Sequence, residues 1–256
     1  MLPHGQSPCC AVRNGALAYN TVICFFFVSG IQAAKPMEVP VHIAEGVLSP
    51  PVLALGGALA IAGVGYGLRR LEHDRLMTVG LLSALFFVAS LVHVPVGFAS
   101  AHLIANGLMG IFLGWASFPA LFVALLLQAV LFQFGGLLVL GVNTCTMAGG
   151  AMASWLIFRL VLAGRPWGSS LRLACAAFLA GASGPAVAAF LTALALSFSA
   201  EGFMAAAITL FLAHLPIMAA EGALTMLAVS FIARIRPQML HLAEPGLVSR
   251  EAGPGV

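Results

Sequence analysis

The chain has 256 residues, of which 61% are hydrophobic and only 7% charged, with a formal net charge of +3. An average soluble domain carries about 25% charged residues, so this balance excludes an ordinary soluble enzyme and implies no nucleic-acid partner. In a chain with several apolar stretches of membrane-spanning length, basic residues report orientation rather than an acidic ligand.

The first 40 residues read as an extension. Ala16 to Ala34 (ALAYNTVICFFFVSGIQAA) follows Arg13 and ends in small residues, the pattern of a signal peptide or signal anchor, although a clean A-x-A cleavage pattern is missing. Residues 41–238 form the candidate transmembrane domain and residues 239–256 a short tail rich in Pro and Gly. At about 20 apolar residues per span, helices are predicted near 52–68, 77–96, 101–117, 119–140, 144–163, 172–198 and 205–233. The ten-residue alternation of a membrane barrel is absent. The expected fold is therefore an all-α polytopic bundle of about seven transmembrane helices.

Orientation follows from arginine. Arg69, Arg70 and Arg75 join the first two predicted helices, Arg159, Arg165 and Arg172 flank a later loop, and Arg234 and Arg236 follow the last helix. If these face the cytoplasm, seven helices alternate without contradiction, His42 lies on the outer face and the C-terminus inside. The implied location is the cell membrane, the inner one in a Gram-negative source.

Ionisable groups within spans are expensive and therefore functional candidates. Here they are His93, His102, His214 and Glu221, with the amides Asn106, Gln128, Gln133 and Asn143. His93 and His102 flank VPVGFASA, where Pro95 and Gly97 break helix geometry and turn the chain at the surface that carries His42. Three imidazoles near one surface suggest a borderline divalent cation such as Ni, Co, Cu or Zn. The plainer alternative for each is an interfacial hydrogen-bonding group. Asn106 lies one turn beyond His102 on the same face. His214 and Glu221 share one face of the last helix, as a structural hydrogen-bonding pair or as ligands.

The segment FGGLLVLGVNT, Phe134 to Thr144, is too glycine-rich to continue a helix easily. It reads either as an outer loop whose Asn143 approaches a site at His42 and His102, or as a simple tight turn. Of the five cysteines, Cys9, Cys10, Cys24, Cys145 and Cys175, none forms a C-x-x-C pair or zinc spacing, and Cys145 and Cys175 read as small packing residues.

Three stretches carry a resemblance: HIAEGVLSP, then SAHLIANGLMGIFLGWASFPALFVALLLQAVLFQFGGLLVLGVNT, then HLPIMAAEGALTMLAVSFIARIRPQML. Over about residues 42–240 the chain resembles the CbiM/NikM family, the substrate-capturing membrane component of energy-coupling factor transporters for cobalt and nickel. The resemblance implies that Co(II), for cobalamin biosynthesis, or Ni(II) is captured at the outer face as cargo, with no tightly bound cofactor. It also implies partners: a coupling transmembrane subunit, separate ATPase subunits and a small accessory membrane subunit, within membrane lipid.

Mature chains of that family begin Met-His, and the free amine, the next amide nitrogen, the imidazole and a second histidine surround the metal in a near-square plane. His42 matches the first histidine and His102, in SAHL, the second. Square-planar nitrogen ligation suits Ni(II) and low-spin Co(II) better than Zn(II). The chain departs from the pattern at Val41, preceded by KPMEVP. Processing before Val41 restores an amine beside the histidine, processing before Pro40 puts the histidine third, and an unprocessed chain needs a substitute ligand such as His93. Glu45 is either a hydrogen-bond partner of this ligand set or an acidic residue favoured by the dipole of the first helix.

Rival readings are an intramembrane metal-dependent enzyme and a passive transition-metal channel. The nucleophile turn G-x-S-x-G and the zinc motif H-E-x-x-H are both missing.

Overall fold

A computed structural model describes residues 43, 45–91, 93–96, 99–102, 105–162, 170–199, 203–235 and 239–240. The chain divides into Met1–Glu38 and Val39–Val256. The signal-like segment, Val41 and His42 lie outside the described residues, as do Arg165 and the end of the tail.

Among its described residues the second unit holds seven α-helices: α1 (Pro50–Arg69), α2 (Leu76–Leu91), α3 (Asn106–Leu113), α4 (Ser117–Phe132), α5 (Leu140–Leu162), α6 (Ser170–Ser197) and α7 (Phe203–Ile235). Six helical segments among the described residues are long and apolar enough to cross a membrane. One of these, Asn106–Phe132, joins α3 and α4 through a 3-10 turn at Gly114–Ala116. The α-helix is interrupted there, because Gly114 adopts φ 52° and ψ −122°, a conformation that only glycine enters cheaply.

α1 starts where Pro50 and Pro51 occupy the first helical positions; the missing N–H groups there would be unbonded in any residue. Its 20 residues span about 30 Å, the thickness of a bilayer core. By the same rise, the eight residues of α3 cover about 12 Å. All eight are buried, because α5, α6 and α7 pack around them.

Small residues allow this. A side chain at Gly110 would run into the Ala151 carbonyl, and one at Gly150 into the Gly184 carbonyl and the Asn106 amide. Helix backbones therefore meet without intervening side chains, the usual device where lipid offers no hydrophobic drive for association. Phe86, Met109, Leu121, Met147 and Val229 complete the core.

The prediction of helices over 77–96 and 101–117 requires correction. α2 ends at Leu91, and His93–Val96 (β1) pairs antiparallel with Ala99–His102 (β2). Pro95 cannot donate to an i−4 carbonyl, and the β-branched Val94 and Val96 favour an extended chain. The register sets Val96 opposite Ala99.

The prediction over 119–140 also overruns: α4 stops at Phe132, with Gln133 left-handed at φ 57°. The glycine-rich segment is a loop only up to Val139. Asn143 and Thr144 belong to the first turns of α5.

Candidate metal centre

One end of the bundle gathers the segment around Ile43, the 133–139 loop, the start of α5 and the β-ribbon. Asn143 is the main tie between the Ile43 segment and the start of α5. The Ile43 amide donates to Asn143 Oδ1 at 3.1 Å, and Asn143 Nδ2 donates to the Ile43 carbonyl at 3.2 Å. Both residues are buried, with 4% of Ile43 and 3% of Asn143 exposed. A buried carboxamide that answers both polar groups of one residue acts as a piece of β-ladder supplied by a side chain. It fixes the backbone one residue after His42.

Glu45 makes the second tie. Its Oε1 accepts the Leu138 amide at 3.0 Å, and its side chain lies across Gly136, where φ is +118° and a Cβ would collide with the carboxylate. The glycine serves two needs here, a backbone conformation barred to L side chains and room for Glu45. Beneath these bonds, Ile43, Leu48, Val139 and Val142 form a small apolar cluster of their own. The 43–48 segment is thus held on one side by polar bonds and on the other by packing. The Glu45 carboxylate thus holds the 133–139 loop. The first turn of α1 contains no acidic residue.

The ribbon brings His93 and His102 together: they are directly opposed in its register. Directly opposed residues in an antiparallel pair sit at about 4.5–5.5 Å between Cα atoms. The exit of the ribbon is pinned from below, where the Ala105 amide donates to Glu221 Oε1 at 2.7 Å. Ala105 is left-handed at φ 54° and Glu221, in α7, is fully buried. Glu221 therefore spends a carboxylate oxygen on the chain that leads from His102 into α3.

Asn106, the first residue of α3, is fully buried, with Nδ2 3.8 Å from Met147 Sδ. It packs between α5 and α6 beside Gly150 and Gly184. Gln128 of α4 donates to Ser90 of α2, which in turn donates to the Phe87 carbonyl at 2.7 Å. That chain fixes the last turn of α2 three residues before His93.

Among the described residues no three His, Cys, Asp or Glu side chains gather as a metal site. Of the two packing cysteines, Cys145 directs Sγ to the Gly56 carbonyl at 3.4 Å, whereas Cys175 is exposed on the bundle surface. Sequence reasoning overlooked Gly136, Leu138 and the pairing of Glu221 with Ala105. The first two lie in the glycine-rich run FGGLL, whereas no local pattern links residues 116 positions apart.

Residues 42–239 match the family model described as the cobalt uptake substrate-specific transmembrane region. The chain belongs to that family. It is 39% identical over 205 residues to a putative metal transport protein of Haemophilus influenzae, an alignment spanning 79% of this chain and 98% of that one. It is 35% identical over 216 residues to the cobalt transport protein CbiM of Sorangium cellulosum, covering 78% and 94% of the two chains. A solved transition metal transporter superposes with a TM-score of 0.67 at 27% identity, covering 82% of this chain and 99% of that structure. A truncated transition metal transporter gives 0.65 at 28%, covering 76% and 99%. Family and helices together establish a multi-pass membrane protein, a cobalt or nickel transport component rather than an enzyme.

Proposed function

We propose that this chain is the substrate-binding permease of an ATP-driven importer of Co(II) or Ni(II), and that capture occurs at the end of the bundle held by Asn143. The observation that carries this reading is a coincidence of place. The match to the cobalt-uptake family begins at His42, and the next residue is the one that Asn143 clamps from both sides.

His42 supplies an imidazole and its own backbone nitrogen, Val41 supplies the neighbouring nitrogen, and His102 supplies the second imidazole. His93, opposite His102 in the ribbon, substitutes for a terminal amine if the chain is not processed at Val41. Nitrogen donors in a plane favour Ni(II) and low-spin Co(II) over Zn(II) through geometry. Asn143 and Glu45 position the His42 segment, and Asn106 and Glu221 position the ribbon that carries His102. A site built to sub-ångström geometry needs such supporting bonds.

This end faces outward and the arginine-bearing end faces the cytoplasm, in accord with the positive-inside rule. ATP hydrolysis belongs to separate ATPase subunits reached through a coupling membrane protein, with a small accessory membrane subunit alongside. Relatives with the printed names fused NikMN and fused CbiMQ support a permease that works joined to other membrane subunits.

Uptake of Co(II) and Ni(II) by cells carrying the complete transporter tests the reading, with N-terminal sequencing of the mature chain. His42→Ala and His102→Ala are expected to abolish uptake at low metal concentration. Normal uptake by both variants would refute the site.

A further inference from the structure

At the opposite end of α1 and α5 a cavity of about 410 Å³ opens between α1, the 3-10 turn at His73–Arg75, the bend at Gly114 and the last turns of α5. Its lining includes Arg70, Arg75 and Arg159 against one carboxylate, Glu72. Positive side chains are thus in excess.

Two of the guanidinium groups are held in place by aromatic rings. Arg159 Cζ lies 4.7 Å from the Trp155 ring centroid and Arg70 Cζ 5.3 Å from that of Tyr66. Arg70 Nη2 also donates to Tyr66 Oη at 2.8 Å. Arg75 Nε reaches Glu72 at 3.3 Å, but the Glu72 side chain is 72% exposed, so water screens that pair. Guanidinium groups held against aromatic rings retain further N–H donors for an oxyanion and lose little conformational freedom on binding it.

We propose that this cavity binds a phosphate ester, supplied by the headgroup of an anionic phospholipid. A guanidinium fork matches two phosphate oxygens at once. Position favours the lipid as source. The cavity lies at a membrane-facing end of the bundle, where Tyr66, Trp115 and Trp155 form the aromatic edge expected at the headgroup level. Leu68, Leu156 and Leu160 are exposed on the same terminal turns of α1 and α5, at 54%, 50% and 64%, and offer a path for acyl chains. Basic pockets between transmembrane helices are a recurrent way of holding anionic headgroups. The binding described here makes no use of the metal site and stands apart from it.

The test uses the purified full chain, stripped of lipid and returned to nanodiscs of phosphatidylcholine with or without phosphatidylglycerol. Native mass spectrometry reads retained lipid and thermal unfolding reads stabilisation. Loss of charge-assisted hydrogen bonds means that Arg70→Gln with Arg159→Gln should weaken phosphatidylglycerol retention at least about tenfold. Arg234→Gln, a basic residue of the same end outside the cavity lining, should leave it unchanged. Arg159→Lys should retain charge but bind less than wild type. Unfolding in phosphatidylcholine alone verifies that the variants fold. Arginine-dependent protection by inorganic phosphate or glycerol 3-phosphate, without retained lipid, would support the phosphate site with a soluble source. Equal retention by wild type and the double variant, or no binding of either probe, overturns the proposal.

Discussion

Asn143 grips Ile43 by both its amide and its carbonyl, and so joins the start of α5 to the segment that carries His42. The pair is buried, which makes the bonds matter more for what their loss would leave behind than for their own strength. An unsatisfied buried N–H or C=O costs about 1–3 kcal/mol. Asn143→Ala should therefore release the segment locally. Isothermal titration with Co(II) or Ni(II) should show affinity lower by about tenfold or more. Asn143→Asp, which still accepts from Ile43, should fall between the two.

Glu45 and Gly136 offer a test of coupling. Gly136→Ala meets both a left-handed backbone and the Glu45 side chain, and strain of this kind costs about 1–3 kcal/mol. Glu45→Ala removes the collision but not the backbone strain. Thermal unfolding of the two single variants and the double should show that the double is less destabilised than the sum of the singles.

Glu221 is expected to act on the proposed metal site from inside the bundle. Glu221→Ala strands the buried Ala105 amide, with a stability loss of about 1–3 kcal/mol. Because Ala105 is the described residue that follows the ribbon, metal binding should weaken as well. Glu221→Gln, which keeps a carbonyl acceptor for that amide, should lose less of both in unfolding and titration experiments.

The ribbon register makes a prediction for disulfide chemistry. Val94 opposes Ala101, and opposed Cα atoms at about 4.5–5.5 Å lie within the range a disulfide spans. Val94→Cys with Ala101→Cys should oxidise readily, as read by a gel-mobility shift. Val94→Cys with Ser100→Cys, one residue out of register, should not.

The long spans were legible because an apolar run of about 20 residues has few other uses. Predicted helices at 52–68, 144–163, 172–198 and 205–233 lie within α1, α5, α6 and α7, apart from one residue at the end of each of α5 and α6. Hydropathy does not distinguish helix from strand, however. It carried α2 through Val94 and Val96, even though Pro95 and Gly97 marked the break. Nor did it reveal that a family-sized helix would be only eight residues long at α3, since the fold inserts a ribbon before it. Around the site, Asn143, Asn106 and Glu45 stood out as polar residues in an apolar chain. Their partners did not, because Ile43 contributes only backbone, and Glu221 reaches Ala105 across 116 positions.

The central claim is that His42, anchored through Ile43, captures the metal with His102. Equilibrium binding of Ni(II) and Co(II) to the purified mature chain, with His42→Ala and His102→Ala in parallel, addresses it most directly. The account predicts that each variant loses about a hundredfold or more in affinity, the loss of one ligand from a four-donor site exceeding the 10–100-fold typical of a supporting residue. Wild-type affinity in both variants would contradict it.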